Sequence, residues 1–174
     1  MVGIQMRGKI MGIVVTAVIS IGLLSSSQAY GQFFYMENLD IGKPVKDFSL
    51  KMMDGNEGNL TKYRDGKNAI VFFWATWCPH CREELKEMNA MKEDFEKKDI
   101  RLVIVNSGEK EKIVKNYVEK HNIKLDMFLD VDSEVTEEYD IFGLPTFYFV
   151  RKDGIVADVL HSIPENLDKV FSNT

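Results

Sequence analysis

The feature that most constrains the fold is an apolar segment that leads directly into a pair of cysteines and then into an amphipathic pattern. Residues 69–74 form a continuously apolar, β-prone run, which is typical of a central strand buried on both faces. Cys78 and Cys81 follow, and Pro79 between them suits the first turn of a helix. We predict that this helix extends to about Lys97. Its apolar stripe consists of Cys81, Leu85, Met88, Met91 and Phe95.

The two cysteines are better explained by chemistry than by stabilisation. They are the only cysteines in the 174 residues, and a domain of about 140 residues does not need a disulfide to fold. A bridge across two intervening residues removes little entropy from the unfolded chain, because the loop that it closes is very short. The alternative is a zinc site, but zinc usually takes four Cys or His ligands, and none of the three histidines is spaced as a ligand pair. We therefore predict a redox-active dithiol and no metal.

The predicted helix assigns different roles to the two sulfur atoms. Cys78 would lie at the helix N-terminus, where unpaired backbone N–H groups and the helix dipole favour negative charge. The thiolate is the form of cysteine that attacks a disulfide. Cys81, one turn later, falls on the buried stripe. We therefore expect Cys78 to be the exposed attacking thiol and Cys81 to be the resolving thiol that releases the partner.

The remaining periodicity predicts an α/β domain with a mixed sheet flanked by helices. Further elements are expected at 48–60 (a hairpin), 101–105 (a strand), 110–121 (a helix), 127–129 (a short edge strand), 134–139 (a helical turn capped by Ser133), 146–160 (a second hairpin) and 164–171 (a short C-terminal helix). The charged run at 109–112 is interpreted as the solvated face of a helix. No internal repeat is found.

The N-terminal segment has the parts of an export signal. Arg7 and Lys9 precede an apolar run at 10–24, and small and polar residues follow up to Ala29. Cleavage after Ala29 would fit a secretory signal, whereas retention would leave a membrane anchor close to the roughly 20 residues of a bilayer span. We assign residues 1–29 to a signal peptide or N-terminal membrane anchor, 30–44 to a linker and 45–174 to the domain. Either alternative places the domain outside the cytoplasm, in the periplasm or cell envelope or tethered to the outer face of the cytoplasmic membrane.

The charge of the chain argues against a nucleic-acid partner. The chain carries 22 basic and 27 acidic residues, a net charge of −5. Arg7 and Lys9 precede residue 32, so the rest of the chain has 20 basic and 27 acidic residues, a net charge of −7. Binding to DNA or RNA needs a concentrated positive field, which such a composition does not offer.

Two segments resemble the thioredoxin-like superfamily. Residues 72–81, Phe-Phe-Trp-Ala-Thr-Trp-Cys-Pro-His-Cys, are similar to its active-site segment, especially that of the TlpA/ResA-like group of exported or membrane-anchored thiol–disulfide oxidoreductases. Residues 143–146, Gly-Leu-Pro-Thr, match the loop that carries a cis-proline beside the dithiol. The resemblance spans residues 41–170. It implies a thioredoxin-like fold with an N-terminal β extension and a central helical insertion at 106–129.

The resemblance also implies a substrate-binding surface around the dithiol. Leu144 and Thr146 would offer backbone N–H and C=O groups to an extended substrate, at a sharp turn made by a cis Pro145. Trp77 either shields the dithiol and contacts a partner or only covers the sheet edge. The predicted substrate-binding residues are Trp77, Pro79, His80, Leu144, Pro145 and Thr146.

Glu84 is predicted to exchange protons with the dithiol. It falls inside the apolar arc of the helix, one turn after Cys81, whereas Glu83 and Glu87 point away from that arc. Desolvation there would raise its pKa; the alternative is that Glu84 escapes to solvent at the rim. In the TlpA/ResA-like group an acidic residue three positions after the second cysteine has such a role. Thioredoxins themselves keep a buried aspartate six positions before the first cysteine, where this chain has Phe72.

The leading functional prediction is a reductase of protein disulfides that needs no cofactor besides the Cys78–Cys81 disulfide. The resemblance implies protein thiols and disulfides as substrates, among them the haem-binding cysteines of apocytochrome c, and electrons from a membrane thiol transporter; we expect a monomer. His80 favours the alternative, a disulfide-donating oxidase, because a partly cationic imidazole would stabilise the reduced form. Two less favoured alternatives are a redox-inert peptide-binding module and a peroxidase, which would need a threonine in place of Ala75.

Overall fold

The computed structural model describes residues 40–172 as a seven-stranded sheet with helices on both faces. The predicted signal or anchor and residues 30–39 of the predicted linker lie outside the described residues. The strands are β1 (Ser49–Met52), β2 (Glu57–Asn59), β3 (Asn68–Trp74), β4 (Ile100–Ser107), β5 (Met127–Asp130), β6 (Thr146–Val150) and β7 (Val156–Leu160). The helices are α1 (Leu60–Arg64), α2 (Pro79–Ala90), α3 (Lys92–Lys97), α4 (Glu111–Lys120), α5 (Glu134–Glu138) and α6 (Leu167–Ser172).

The sheet is mixed, as predicted. Its strand order is β2-β1-β5-β4-β3-β6-β7. The three central strands β3, β4 and β5 are parallel, and an antiparallel hairpin extends each edge. The β1–β2 hairpin is the predicted N-terminal β extension, and α4 lies in the predicted central insertion. Because carboxyl ends of parallel strands meet at one edge of a sheet, the segments after β3, β4 and β5 emerge together.

The core lies on both faces of the sheet, which explains the continuous apolar run in β3. Successive side chains of a strand point to opposite faces, so both sets must be covered when helices pack on each side. One face receives Ile70, Phe72 and Trp74, together with both cysteines and the buried side of α2. The other face receives Ala69, Val71 and Phe73, together with side chains from α1 and α5.

The single helix predicted after the cysteines is interrupted. α2 ends at Ala90, α3 begins at Lys92, and Met91 between them has φ −97° and ψ 11°. Met91 is 48% exposed, whereas Phe95 is buried. The prediction that Met91 belongs to the apolar stripe is therefore wrong, because helical spacing does not continue across the break.

Strand β5 is not the edge strand that the sequence predicts. It pairs in parallel with β4 and antiparallel with β1, so the β1–β2 hairpin covers its outer side. This approach needs a glycine in β2. A Cβ added at Gly58 would lie 2.5 Å from both Met52 Sδ and Phe128 Cε1, so no larger residue fits without displacement.

Helix α5 begins where predicted, but a different side chain caps it. Ser133 occupies the N-cap position and makes no side-chain cap bond. The carboxylate of Asp130 instead accepts hydrogen bonds from the N–H of Val135 at 3.2 Å and the N–H of Thr136 at 2.8 Å. The prediction that the Ser133 side chain caps α5 is therefore wrong, because the Asp130 carboxylate at the end of β5 already accepts the hydrogen bonds of the N–H groups in the first turn.

The last residues of the predicted linker are attached to the sheet. The N–H of Gly42 donates to the carbonyl of Val156 at 2.8 Å, and the N–H of Val156 donates to the carbonyl of Lys43 at 2.9 Å. Pro44 forms an isolated bridge with Ile155. None of the helices between residues 40 and 172 has the length and apolarity of a bilayer span.

Candidate active site

The dithiol lies at the junction of β3 and α2. β3 ends at Trp74, and Cys78 is the N-cap residue of α2, in an extended conformation. Its Sγ accepts a hydrogen bond from the backbone N–H of Cys81 at 3.2 Å. The two cysteines form a disulfide, with their Cα atoms 5.3 Å apart. The predicted pairing and the predicted seat of Cys78 on the helix terminus are therefore confirmed.

Solvent exposure differs between the two cysteines in the predicted order. Cys81 is 0% exposed and Cys78 is 4% exposed. Cys78 is thus more covered than predicted, because in the disulfide its sulfur packs back onto the first turn of α2. The prediction that Cys78 is exposed is therefore wrong for the disulfide form, although Cys78 is the less covered of the two cysteines.

Three predicted substrate-binding residues next to Cys78 lie at the surface. Trp77 is 67% exposed, in contrast to the fully buried Trp74. Pro79 is exposed at the first position of α2. The side chain of His80 is 83% exposed, and its Nδ1 lies 3.6 Å from Oε2 of Glu83. These side chains form an open rim beside the disulfide.

The loop before β6 has the predicted cis peptide bond between Leu144 and Pro145. The hydroxyl of Thr146 donates to the carbonyl of Gly143 at 2.7 Å. Pro145 and Thr146 are buried, and Leu144 is half-buried. Within residues 40–172, neither the backbone N–H nor the C=O of Leu144 has a hydrogen-bond partner.

Glu84 is half-buried, whereas Glu83 and Glu87 are exposed. Burial raises the pKa of Glu84, a hydrogen bond from the backbone N–H of Ile163 partly opposes this shift, and the negative charges of Glu87 and Glu83 raise the pKa further. Both the predicted position within the apolar arc and the predicted direction of the pKa shift agree with the structure.

The segment after β7 contributes to the site, and the sequence pattern did not indicate it. Nδ1 of His161 lies 2.8 Å from the carbonyl oxygen of Pro145. Because a carbonyl only accepts hydrogen bonds, Nδ1 carries the proton in this contact. Two positions further on, the backbone N–H of Ile163 contacts Glu84. The segment thus joins the cis-proline loop to α2.

Glu109 is the second site residue that the sequence pattern missed. It is 8% exposed, so its assignment to a solvated helix face is wrong. Its carboxylate accepts hydrogen bonds from the N–H of Thr76 at 2.6 Å, from the hydroxyl of Thr76 at 2.5 Å and from Nδ2 of Asn106 at 2.8 Å. A usable signal existed, because Glu109 lies two residues after the end of β4, whose carboxyl end meets that of β3.

The half-buried or buried carboxylates of this region come from α2 (Glu84) and from the β4–α4 connection (Glu109), and none comes from β3. Phe72, at the place of the thioredoxin aspartate, is fully buried and stacks on Phe147 with ring centroids 4.4 Å apart. Among the described residues, no group of three or more His, Cys, Asp or Glu side chains is arranged to hold a metal ion.

Comparison with known proteins gives a consistent result. Residues 41–159 match the AhpC/TSA family. The thiol-disulfide oxidoreductase ResA of Bacillus thuringiensis subsp. konkukian is 27% identical over 150 residues, which cover 86% of each chain. ResA of Geobacillus thermodenitrificans is 30% identical over 132 residues, which cover 75% of each chain. A solved structure of a thiol:disulfide interchange protein of the thioredoxin family from Chlorobium tepidum TLS has a TM-score of 0.60 and 25% identity, and it covers 74% of this chain and 92% of its own.

These similarities extend over the sheet, the dithiol and the cis-proline loop. The predicted thioredoxin-like fold is therefore confirmed, as is the predicted enzyme class. The chain belongs to the AhpC/TSA family and is a thioredoxin-like thiol–disulfide oxidoreductase of the ResA type.

Proposed function

We propose that the protein is an extracytoplasmic reductase of protein disulfides in which Cys78 attacks and Cys81 resolves. The observation that carries the proposal is the position of Cys78 Sγ at the N-terminus of α2, where it accepts the N–H of Cys81 at 3.2 Å. That hydrogen bond and the positive end of the helix dipole favour negative charge on the sulfur. In the reduced protein they favour the thiolate, which is the attacking species.

The reaction is a two-step exchange. The Cys78 thiolate attacks one sulfur of the substrate disulfide, so a Cys78–substrate bond forms and the second substrate sulfur leaves as a thiolate. Cys81 then loses its proton and attacks Cys78, which releases the first substrate sulfur. The substrate gains two electrons, and the protein is left with the Cys78–Cys81 disulfide.

Glu84 is proposed to take the proton that Cys81 loses. Cys81 is fully buried, and Glu84 lies one helical turn later on the half-buried side of α2. Because burial raises the pKa of Glu84, its carboxyl group binds a proton more readily than an exposed glutamate does. The same group returns the proton to a departing thiolate.

The substrate is proposed to bind as an extended segment across the cis-proline loop. The free N–H and C=O of Leu144 provide the backbone pairing that an extended peptide uses. The exposed rim beside the disulfide supplies side-chain contacts. The contact residues in this proposal are Trp77, Pro79, His80, Leu144, Pro145 and Thr146.

The reducing direction is supported by the charges near the dithiol. Negative charge disfavours the thiolate and therefore the reduced form, which gives a stronger reductant. The positive charge that His80 would supply is opposed by Glu83, whose Oε2 lies 3.6 Å from Nδ1 of His80. By resemblance, we propose apocytochrome c cysteines as substrates, a membrane thiol protein as the electron donor, and export by residues 1–29.

The reduction potential tests the direction. Equilibration of the purified domain with glutathione, followed by quantification of both redox forms, should place the pair near the thioredoxin end of the range from about −270 to −120 mV. A reduction potential of about −120 mV would contradict the reductase and favour the alternative, a disulfide-donating oxidase.

Trapping tests the order of attack. Cys81→Ser in cells should accumulate mixed disulfides through Cys78, because the resolving thiol is missing. Cys78→Ser is the matched control and should trap little, since Cys81 is buried. Equal trapping by both variants would contradict the assigned roles. Mass spectrometry of the N-terminal peptide of the protein from the same cells shows whether the chain is cleaved after Ala29.

A further inference from the structure

The carboxylate of Glu109 is a buried group that the reaction steps do not use and that contacts the loop before Cys78. It is 8% exposed, and three donors from Thr76 and Asn106 surround it. We propose that Glu109 is a positioning residue of the dithiol site, which holds the loop before Cys78 and whose negative charge keeps the Cys78–Cys81 pair reducing.

The contacts of Glu109 are those of an ionised, uncompensated carboxylate. An ionised carboxylate only accepts hydrogen bonds, and each of the three partner groups, two N–H groups and one hydroxyl, can donate one. No Lys, Arg or His side chain in the described part of the chain forms an ion pair with it. The negative charge is therefore stabilised by neutral donors and is not cancelled.

The position of Thr76 couples this charge to the attacking sulfur. Thr76 lies two residues before Cys78, and the N–H of Cys78 donates to the carbonyl of Ala75 at 3.2 Å. Glu109 thus holds Thr76, which lies in the short loop between Ala75, the hydrogen-bond partner of Cys78, and Cys78 itself. A fixed negative charge on this loop opposes the thiolate, while the N-terminus of α2 favours it.

The thiolate population links this charge to the redox potential. A less stable thiolate means a less stable reduced form, and hence a more negative potential. The biological use of a more negative potential rests on the proposed reductase function. The sign of the change in potential that Glu109 causes does not depend on that function. The other ionisable groups near this end of α2 are His80, Arg82, Glu83 and Glu84 on the helix and His161 after β7. All of them are kept unchanged in the test.

Glu109→Gln removes the charge and keeps the size of the side chain. Compared with the unmodified protein, we expect a three- to tenfold shift of the glutathione equilibrium toward the reduced form, which is about 15 to 30 mV at 29.6 mV per tenfold. In a Cys81→Ser background, the pH midpoint of Cys78 alkylation by iodoacetamide should fall. Unchanged values of both in a folded variant would overturn the proposal.

Two further variants separate charge from position. Glu111→Gln is the matched control, because Glu111 is a nearby acid whose side chain is 44% exposed and paired with Lys51 at 2.8 Å; it should change neither value. Thr76→Val removes the hydroxyl contact and keeps the charge, so it should shift the alkylation midpoint less than half as far as Glu109→Gln. Equal shifts from Thr76→Val and Glu109→Gln would refute the electrostatic role.

A measurement on the unmodified protein covers the case in which Glu109→Gln does not fold. Coupling between two charges is reciprocal, so the carboxyl ¹³C resonance of Glu109 should show a step at the pH where Cys78 ionises in the reduced protein. Absence of that step would overturn the proposal. The potential of the unmodified protein tests the reductase function alone, so the two hypotheses fail on different measurements.

Discussion

At the scale of single residues, the environment of Glu84 is what separates it from its acidic neighbours. Glu83, Glu84 and Glu87 share α2, yet only Glu84 is half-buried and in contact with the backbone of Ile163. Burial disfavours the ionised carboxylate, so the pKa of Glu84 lies above the ordinary value of 4.5. A carboxyl group with a raised pKa holds a proton more readily than its exposed neighbours, as the proposed role of Glu84 requires.

Replacing Glu84 by glutamine is expected to slow resolution of the mixed disulfide by about tenfold or more, because glutamine cannot accept the Cys81 proton. Stopped-flow measurement of thiol release from pH 5 to pH 8 checks this rate. The initial attack by Cys78 should change less than the resolution step. Glu119→Gln, at an exposed position of α4, is the control and should leave both steps unchanged.

The same carboxyl group makes stability depend on pH. With a raised pKa in the folded state, Glu84 binds more protons when folded than when unfolded, so its contribution falls as pH rises from 4.5 through the folded pKa. Glu84→Gln should therefore gain stability relative to the unmodified protein at pH 7 and not at pH 4. Urea unfolding at the two pH values measures the difference, and an equal effect at both would contradict the assignment.

At the scale of secondary-structure elements, α5 depends on one buried carboxylate. Asp130 is 2% exposed and accepts hydrogen bonds from the N–H groups of Val135 and Thr136 and from the hydroxyl of Thr136. α5 has only 5 residues, too few to be stable without such a cap. Its position at the end of β5 puts it among the segments that surround the site.

Asp130→Ala is expected to destabilise the domain by about 2 kcal/mol, because it removes the cap and leaves buried donors without acceptors. Urea unfolding gives the free-energy difference. Asp132→Ala is the matched control at an exposed position two residues later, and it should stay within about 0.5 kcal/mol. A loss of the same size in both variants would show that Asp130 is no special cap.

The elements that the sequence predicted well are those specified by local pattern. β3 and the start of α2 follow from a doubly buried apolar run and a proline at the first helical position. The break at Met91 and the inner place of β5 were not predictable in this way. The helix break at Met91 interrupts an apolar stripe whose spacing continues to Phe95, so the spacing does not reveal it. The inner position of β5 depends on its pairing with the β1–β2 hairpin, which lies more than 60 residues earlier in the chain.

The residues of the candidate site also fall into those that local sequence pattern predicts and those that depend on contacts distant in sequence. Helix geometry alone relates Cys78, Cys81 and Glu84, so their spacing was sufficient. Glu109 contacts Thr76 across 33 positions, and His161 contacts Pro145 across 16 positions. Such pairs are set by which strand ends meet, and a single sequence does not fix that order. Charge pattern was misleading for Glu109, since a carboxylate beside lysines resembles any solvated helix face.

At the scale of the whole molecule, three of the six exposed large apolar side chains in residues 40–172 lie at the dithiol end of the sheet. Trp77 follows β3, Val131 follows β5, and Phe142 precedes β6, which runs antiparallel to β3. The topology therefore brings these residues out at one end. Phe142 is 88% exposed, the highest value among the large apolar residues described. Exposed apolar surface beside an active site is typical of contact with a protein substrate.

Trp77→Ala and Phe142→Ala are therefore expected to lower kcat/KM for a protein disulfide such as that of insulin by about five- to tenfold each, as for aromatic contacts at an interface. The rate with a small disulfide, hydroxyethyl disulfide, should change less than twofold, because it reaches the sulfur without covering the rim. Met91→Ala is the control, since Met91 is 48% exposed at the far end of α2. Equal losses with both substrates would instead assign the two aromatic residues to the dithiol itself, and no loss with insulin would exclude them from the substrate surface.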